Sequence, residues 1–277
     1  MGSFEKKDNK GKSETIEDWT EAFQSAIDSG ATTIYFPTGS YPMNGTVRIR
    51  GKVRRIIGLE SSFGENYISQ PTLILEDGEA PTVVIERFEW VYSKTTFRHE
   101  SSRTLVVSSI VGPRFDVFTK TKGSGDLFIE DVAWSMMHFL GGNIWARQFN
   151  PEHGYQPIPE TPRGQYAPDY DMILCEGATL WILGLKTEGD GTPITARSGA
   201  RVEVLGGFIY ANKNYRPEKQ WIVSQDSSFS LSLAENVIRK QPFDPVMETR
   251  NGETRILKKG VAPGRGGGSL VVLFSGH

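Results

Sequence analysis

An x-apolar-x-apolar motif recurs along this chain at a spacing in the twenties, and that recurrence constrains the fold more than any other feature. Leu105, Leu127, Leu180, Val202 and Phe229 each open such a motif. The steps from Leu105 to Leu127 and from Leu180 to Val202 are both 22 residues, and Val202 to Phe229 is 27. One short strand per period, with small turn residues between, is the pattern of a solenoid. Each coil buries its inward side chains against the coil beneath, and the chain advances by one strand spacing, ~4.8 Å, per circuit. An antiparallel sandwich also has many short strands, but it favours two-residue hairpins. Asn-Gly occurs only at Asn44-Gly45 and Asn251-Gly252. The expected fold class is therefore all-β, a parallel β-helix.

One step breaks the rhythm. Leu127 to Leu180 is 53 residues, about two coils with extra length. Between them lies a segment, Gly141 to Met172, that carries Pro151, Pro157, Pro159, Pro162 and Pro168. Proline cannot donate to a ladder, so this segment cannot be core strand throughout. We expect a strand near Asn143–Arg147 and then a long loop excursion on one face, at about residues 141–172. A hairpin around Asn251-Gly252 and a last apolar strand from Leu270 to Phe274 close the sequence.

Residues 1–13 are polar and read as a flexible lead. From Glu14 to Ser29 the pattern is helical: Trp19, Ala22, Phe23, Ala26 and Ile27 form one apolar stripe, Asp18 or Thr15 can cap it, and Gly30 ends it. Laid over the open end of a solenoid, such a helix shields unpaired edge groups and apolar core. Residues 14–277 then form a single β-helix domain.

Composition narrows the partners. Of 277 residues, 38% are apolar and 23% charged, so the chain is globular, and a net charge of −2 provides no basic field for nucleic acid. No run approaches the ~20 apolar residues of a membrane span. No signal peptide is visible. Met1-Gly2-Ser3 reads as an artificial start, which leaves room for a native leader or a preceding domain. The only cysteine, Cys175, follows an apolar run and reads as a buried structural thiol. The histidines lack metal-ligand spacing, the glycine run at Gly264–Ser269 lacks the features of a phosphate loop, and the basic stretch Arg48–Arg55 alternates with apolar residues as a half-buried strand does.

The stretch "DWTEAFQSAIDSGATTIYFPTGSY", from Asp18 to Tyr41, resembles the entry motif of the pectate-lyase superfamily of right-handed parallel β-helix proteins. In those, a helix ending in Ala-Ile-Asp is followed by a strand and an aromatic-Pro-x-Gly-x-Tyr turn. Within that group the chain most resembles bacterial and fungal members related to exo-β-1,3-glucanases (laminarinases). The resemblance implies a right-handed helix with the N-terminal segment as its cap. It also implies a polysaccharide or oligosaccharide partner, and a secreted, cell-surface or periplasmic location. A second β-helix domain or self-association would complete the two-helix arrangement found in such relatives. Fold alone does not fix the chemistry.

Glycoside hydrolysis needs a proton donor and a second carboxylate. Near the excursion, Glu130, Asp131, Glu152, Glu188 and Asp190 are the catalytic candidates. Sugars are held by aromatic faces and by hydrogen bonds, and Trp145, Arg147, Gln148, Asn150, His153, Tyr155 and Tyr170 are the substrate-binding candidates. Trp145 and Trp181 fit inward core positions as well. No metal or cofactor is expected in a hydrolase. Ca²⁺ enters only with the third reading, a uronate lyase in which Arg147 or Lys186 would be the base. The second reading is a non-catalytic glycan-binding or structural β-helix, of the kind that forms one half of a two-helix enzyme.

Overall fold

The computed structural model describes residues 2–7, 13–64, 69–90, 94–112, 117–134, 136–152, 171–188, 191–211, 220–237, 244–258, 268 and 270–276. In chain order the elements are β1 (Gly2–Lys7), β2 (Ser13–Asp18), α1 (Thr20–Asp28), β3 (Thr33–Phe36), β4 (Thr46–Gly51), β5 (Arg55–Ser61), β6 (Thr72–Gly78) and β7 (Thr82–Glu89). Next come β8 (Thr96–His99), β9 (Thr104–Val111), β10 (Phe118–Lys120), β11 (Leu127–Ala133), β12 (Met137–Phe139), β13 (Gly142–Asn150), β14 (Asp171–Glu176) and β15 (Ala178–Glu188). The last are β16 (Thr192–Arg197), β17 (Arg201–Ala211), β18 (Gln220–Gln225), β19 (Ser228–Val237), β20 (Asp244–Arg250), β21 (Glu253–Leu257) and β22 (Leu270–Gly276).

From β3 to β20 successive strands alternate between two ten-stranded sheets, one running from β3 to β22 and the other from β4 to β21. Every pairing in them is parallel except β19 with β22 and β20 with β21. This is the expected parallel β-helix, closed at its far end by two antiparallel strands. The inward column is the one the periodicity picks out. Leu105, Leu127, Leu180, Val202 and Phe229 lie in register, and Ile144 fills the missing rung between Leu127 and Leu180. The irregular step thus divides into 17 and 36 residues, a short circuit and a long one. The long circuit is narrower than the whole of Gly141–Met172. β13 takes the first part as a full rung, β14 starts at Asp171, and residues 153–170 lie outside those described.

The helix caps the coil, but it begins later than its apolar stripe suggests. Ser13–Asp18 is extended and pairs antiparallel with Gly2–Lys7. The Asp18 carboxylate accepts the Thr20 backbone N–H at 2.9 Å, so the start signal sits at the end of that strand. Phe23 and Ile27 are buried, and Phe23 meets Phe36 edge-on at 4.9 Å. The free edge of β4 is covered by the helix's polar side: Gln24 Oε1 accepts the Arg48 N–H at 2.7 Å, and Asp28 takes a bidentate pair from Arg50. An edge that would otherwise offer bare backbone groups is occupied.

Seven successive strands of the β3–β22 sheet, from β5 to β17, each bend at one left-handed residue. Glu60, Arg87, Ser109, Asp131, Gln148, Gly184 and Gly206 have φ between +49° and +80°. The flanking register pairs stack them into one column along the axis. The bend divides the outer surface of this sheet into two flats. A side chain at such φ costs of order 1 kcal/mol that glycine avoids. Gln148→Gly is therefore expected to stabilise the fold by up to about 1 kcal/mol, and Gly184→Val to destabilise it by roughly 1–3 kcal/mol. Chemical denaturation of the two variants beside the parent checks both signs.

The core also holds a cation. Lys120 points inward in register between His99 and Phe139, and its three donors reach Ser124 O at 3.1 Å, Ser124 Oγ at 3.0 Å and Gly141 O at 3.0 Å. Burial lowers its pKa to about 8, against the opposing pull of Asp126. Because the folded value lies below the unfolded one (~10.4), the unfolded chain binds more protons between the two. The Lys120 contribution to stability should therefore rise as pH climbs from about 8 to about 10, by an amount on the order of 2–3 kcal/mol, while the buried Cys175 thiol contributes a slope of opposite sign above ~8.5. The difference in unfolding free energy between the parent and Lys120→Met, recorded across the window, isolates the Lys120 part and should grow with pH. Cys175 is buried, donates to Ala178 O, and has its thiol pushed up to about 12 by burial, as suits a structural thiol.

Candidate functional site

On the flat before the bend, alternate residues face outward and stack in two columns. One column runs Val106, Phe128, Trp145, Trp181, Glu203; the other runs Ser108, Glu130, Arg147, Leu183, Leu205. The rings of Phe128 and Trp145 stack at 4.8 Å and 12°, and those of Trp145 and Trp181 at 5.2 Å and 10°. Strand spacing in a parallel ladder is close to ring-stacking distance, so identical positions on successive rungs bring their rings face to face.

This arrangement corrects two expectations. Trp145 and Trp181 are not core; they sit on the outer face, half-buried by their neighbours. Trp145 also cannot act as an open platform for a sugar ring, because Phe128 covers one of its faces and Trp181 the other. Glu130 and Arg147 form an exposed ion pair across neighbouring strands. Asp131 and Gln148 stand at the bend itself, exposed, in the left-handed column.

The flat beyond the bend brings candidate residues together. The register that sets Phe149 beside Leu185 places Asn150 next to Lys186 and Glu152 next to Glu188. Tyr210 follows on the next rung beside Glu188, and Phe208 beside Lys186. Lys186 Nζ bonds Glu152 and lies 3.0 Å from Glu188 Oε1. Asn150 Nδ2 donates to Glu152 Oε2 at 2.9 Å, and the Lys186 ammonium stands 5.6 Å from the centre of the Tyr210 ring. The two carboxyl groups also hydrogen-bond each other.

The electrostatics follow from these contacts. Burial pushes the Glu152 carboxyl up, but the hydrogen bonds from Glu188, Lys186 and Asn150 outweigh it and hold the pKa at about 2. Glu188 moves the opposite way, raised above its ordinary 4.5, chiefly because it donates to Glu152. Burial works against the Lys186 charge, yet the two carboxyl groups raise its pKa and keep it an ammonium. Of the two carboxyl groups, Glu188 is therefore the one that keeps its proton to the higher pH, and it stands with Glu152 and the fixed Lys186 cation in one hydrogen-bonded cluster on the surface.

Of the remaining candidates, Asp190, His153, Tyr155 and Tyr170 lie outside the described residues. Two residues of the cluster, Tyr210 and Phe208, escaped the sequence reading. They lie a full circuit beyond the proline-rich segment, and only strand register connects them to it. The stacked column had a usable signal: Phe128, Trp145 and Trp181 each follow the inward Leu127, Ile144 and Leu180 by one residue. Comparison with protein-family models, with curated proteins and with solved structures returned no match.

Proposed function

We propose that this chain is a carbohydrate-active β-helix protein that hydrolyses a polysaccharide, with Glu188 as the proton donor and Glu152 as its ionised partner. One observation carries the reading: the Glu152 and Glu188 carboxyl groups share the Lys186 ammonium on one flat, with Asn150 donating to Glu152 alone, and these unequal contacts push their proton affinities in opposite directions, as an acid–base pair requires. Asn150 and Lys186 fix Glu152, while Phe208 and Tyr210 give the same flat an apolar border. The Asp18–Tyr41 motif supports a place among the pectate-lyase-superfamily β-helix proteins, in the neighbourhood of exo-β-1,3-glucanase-related members. A location outside the cytoplasm, and a second β-helix domain or self-association as partner, follow from the same likeness.

The pair in direct contact is closer than the ≈5–5.5 Å or 6.5–9.5 Å between carboxyl groups in glycosidases. Under this reading substrate must enter between them, replacing their mutual hydrogen bond with one from Glu188 to the glycosidic oxygen. That same contact favours the second reading, a non-catalytic glycan-binding module in which Glu152, Lys186 and Glu188 merely tie two rungs. A lyase gains nothing from Lys186, since an ammonium held by two carboxyl groups is a poor base.

Incubation with a panel of β-glucans, pectins and alginates, read in parallel for new reducing ends and for unsaturated product, tests the proposal. New reducing ends without unsaturation are expected. Glycan binding with no product would leave the binding-module reading standing, and ultraviolet-absorbing product lost on chelation would establish a lyase.

A further inference from the structure

The flat before the bend carries a cavity of about 310 Å³ that the proposed chemistry does not use. Its floor and walls are the edges of Phe128, Trp145 and Trp181 and the side chains of Leu183 and Leu205. Leu183 is 56% exposed, Leu205 52% and Phe128 39%, which is unusual for apolar side chains in one contiguous patch. We propose that this groove is a binding site for an apolar chain or ring of a small molecule, lying along the helix axis across β11, β13, β15 and β17. The site is separate from the Glu152–Glu188 cluster and does not depend on its chemistry.

Three observations select that class of ligand. First, the ring faces of the stack are turned toward one another, so the groove presents C–H edges and methyl groups rather than open π-faces; this suits alkyl or aryl groups and not pyranose stacking. Second, the charged pair at its border, Glu130 and Arg147, is already joined, which leaves the Glu203 carboxylate at one end as the one charge in the lining without an ion-pair partner among the described residues; that end repels an anionic ligand, and the rest of the lining offers charge to none. Third, size decides between a small molecule and a protein. The cavity has twelve lining residues, fewer than the 20–30 a side of a stable protein interface. Its volume falls at the lower end of the 300–1,000 Å³ typical of small-molecule pockets. Four rungs at ~4.8 Å give a floor about 14 Å long, enough for a medium-length alkyl chain or two fused rings.

The probe is N-phenyl-1-naphthylamine, neutral and apolar, whose fluorescence rises when it leaves water, with decanol as an unlabelled competitor. Saturable binding displaced by decanol is expected. Leu183→Glu and Leu205→Glu should each weaken it at least tenfold, with thermal melts unchanged because both side chains lie on the surface. Ile256→Glu is the control: that isoleucine is 39% exposed on β21, at the edge of the other sheet, and its replacement should leave binding as it was. The proposal is overturned by non-saturable binding, by groove variants that bind as the parent does, or by an equal loss in Ile256→Glu. It is equally overturned if sedimentation shows a dimer that Leu183→Glu dissolves, since the groove would then be a contact between copies of the chain.

Discussion

Replacing Trp134 by alanine is expected to lower the unfolding free energy by about 3–5 kcal/mol, the range for a large aromatic removed from a closed core. Trp134 is 1% exposed and meets Trp90 at 5.6 Å and Phe118 at 5.4 Å, edge to face in both cases. Phe63 stacks on Trp90 at 4.7 Å and Phe97 on Phe118 at 5.0 Å, so Trp134 joins two aromatic runs into one. The runs belong to different parts of the coil wall, and parallel rungs cannot slide inward to close a gap without breaking ladder register. The void should therefore stay open, which is why the cost falls in the upper part of the range for side-chain truncations. The backbone beside it is equally constrained. A Cβ on Gly112 would lie 2.5 Å from the Trp134 ring, so Gly112→Ala should also destabilise, through overlap rather than a void. Urea denaturation followed by tryptophan fluorescence and circular dichroism measures both. A loss below ~1 kcal/mol for Trp134→Ala would mean that the rungs do repack, and that the wall is softer than its register implies.

The coil was legible because its main determinant is local and repeated. Leu105, Leu127, Leu180, Val202 and Phe229 announce a column by spacing alone, and the helix stripe from Trp19 to Ile27 announces a cap. Ile144 was harder to place. Its rung comes 17 residues after the last and 36 before the next, so no fixed period points to it. Outward positions were less legible than inward ones. Burial of alternate residues says which side chains leave the core, but not that a left-handed residue will turn the strand and divide one surface into two. Of the carboxylates proposed from sequence, Glu130 and Asp131 looked equal to Glu152 and Glu188. The bend separates them, sending Glu130 to pair with Arg147 and holding Asp131 at the corner itself. Aspartate enters that conformation more readily than most residues, but nothing about Gln148 marks it, and Arg87 and Ser109 adopt it too. The neighbour's register imposes it.

Glu188→Gln is expected to reduce hydrolysis by 10²–10⁴-fold, the contribution of a positioned general acid. The amide can still donate to Glu152, so the fold and the cluster geometry should survive, which separates lost chemistry from lost structure. Glu152→Gln should cost a similar factor while also leaving Lys186 with one carboxyl partner in place of two. The pH profile adds a readout that a purely structural role would not move. The two groups titrate as a pair, and the active form has Glu152 ionised and Glu188 protonated. Activity should therefore rise as pH passes about 2, where Glu152 loses its proton, and fall once pH passes the raised value of Glu188, above 4.5. Lys186→Met removes the cation that favours both anions. Both limbs should then move to higher pH, the acid limb most visibly because Glu152 begins so low. Glu188→Gln should abolish the alkaline limb in whatever activity remains. If the parent hydrolyses a glycan and Glu188→Gln keeps its full rate with an unchanged profile, Glu188 is not the donor, and the catalytic carboxyl groups must be sought elsewhere on the coil.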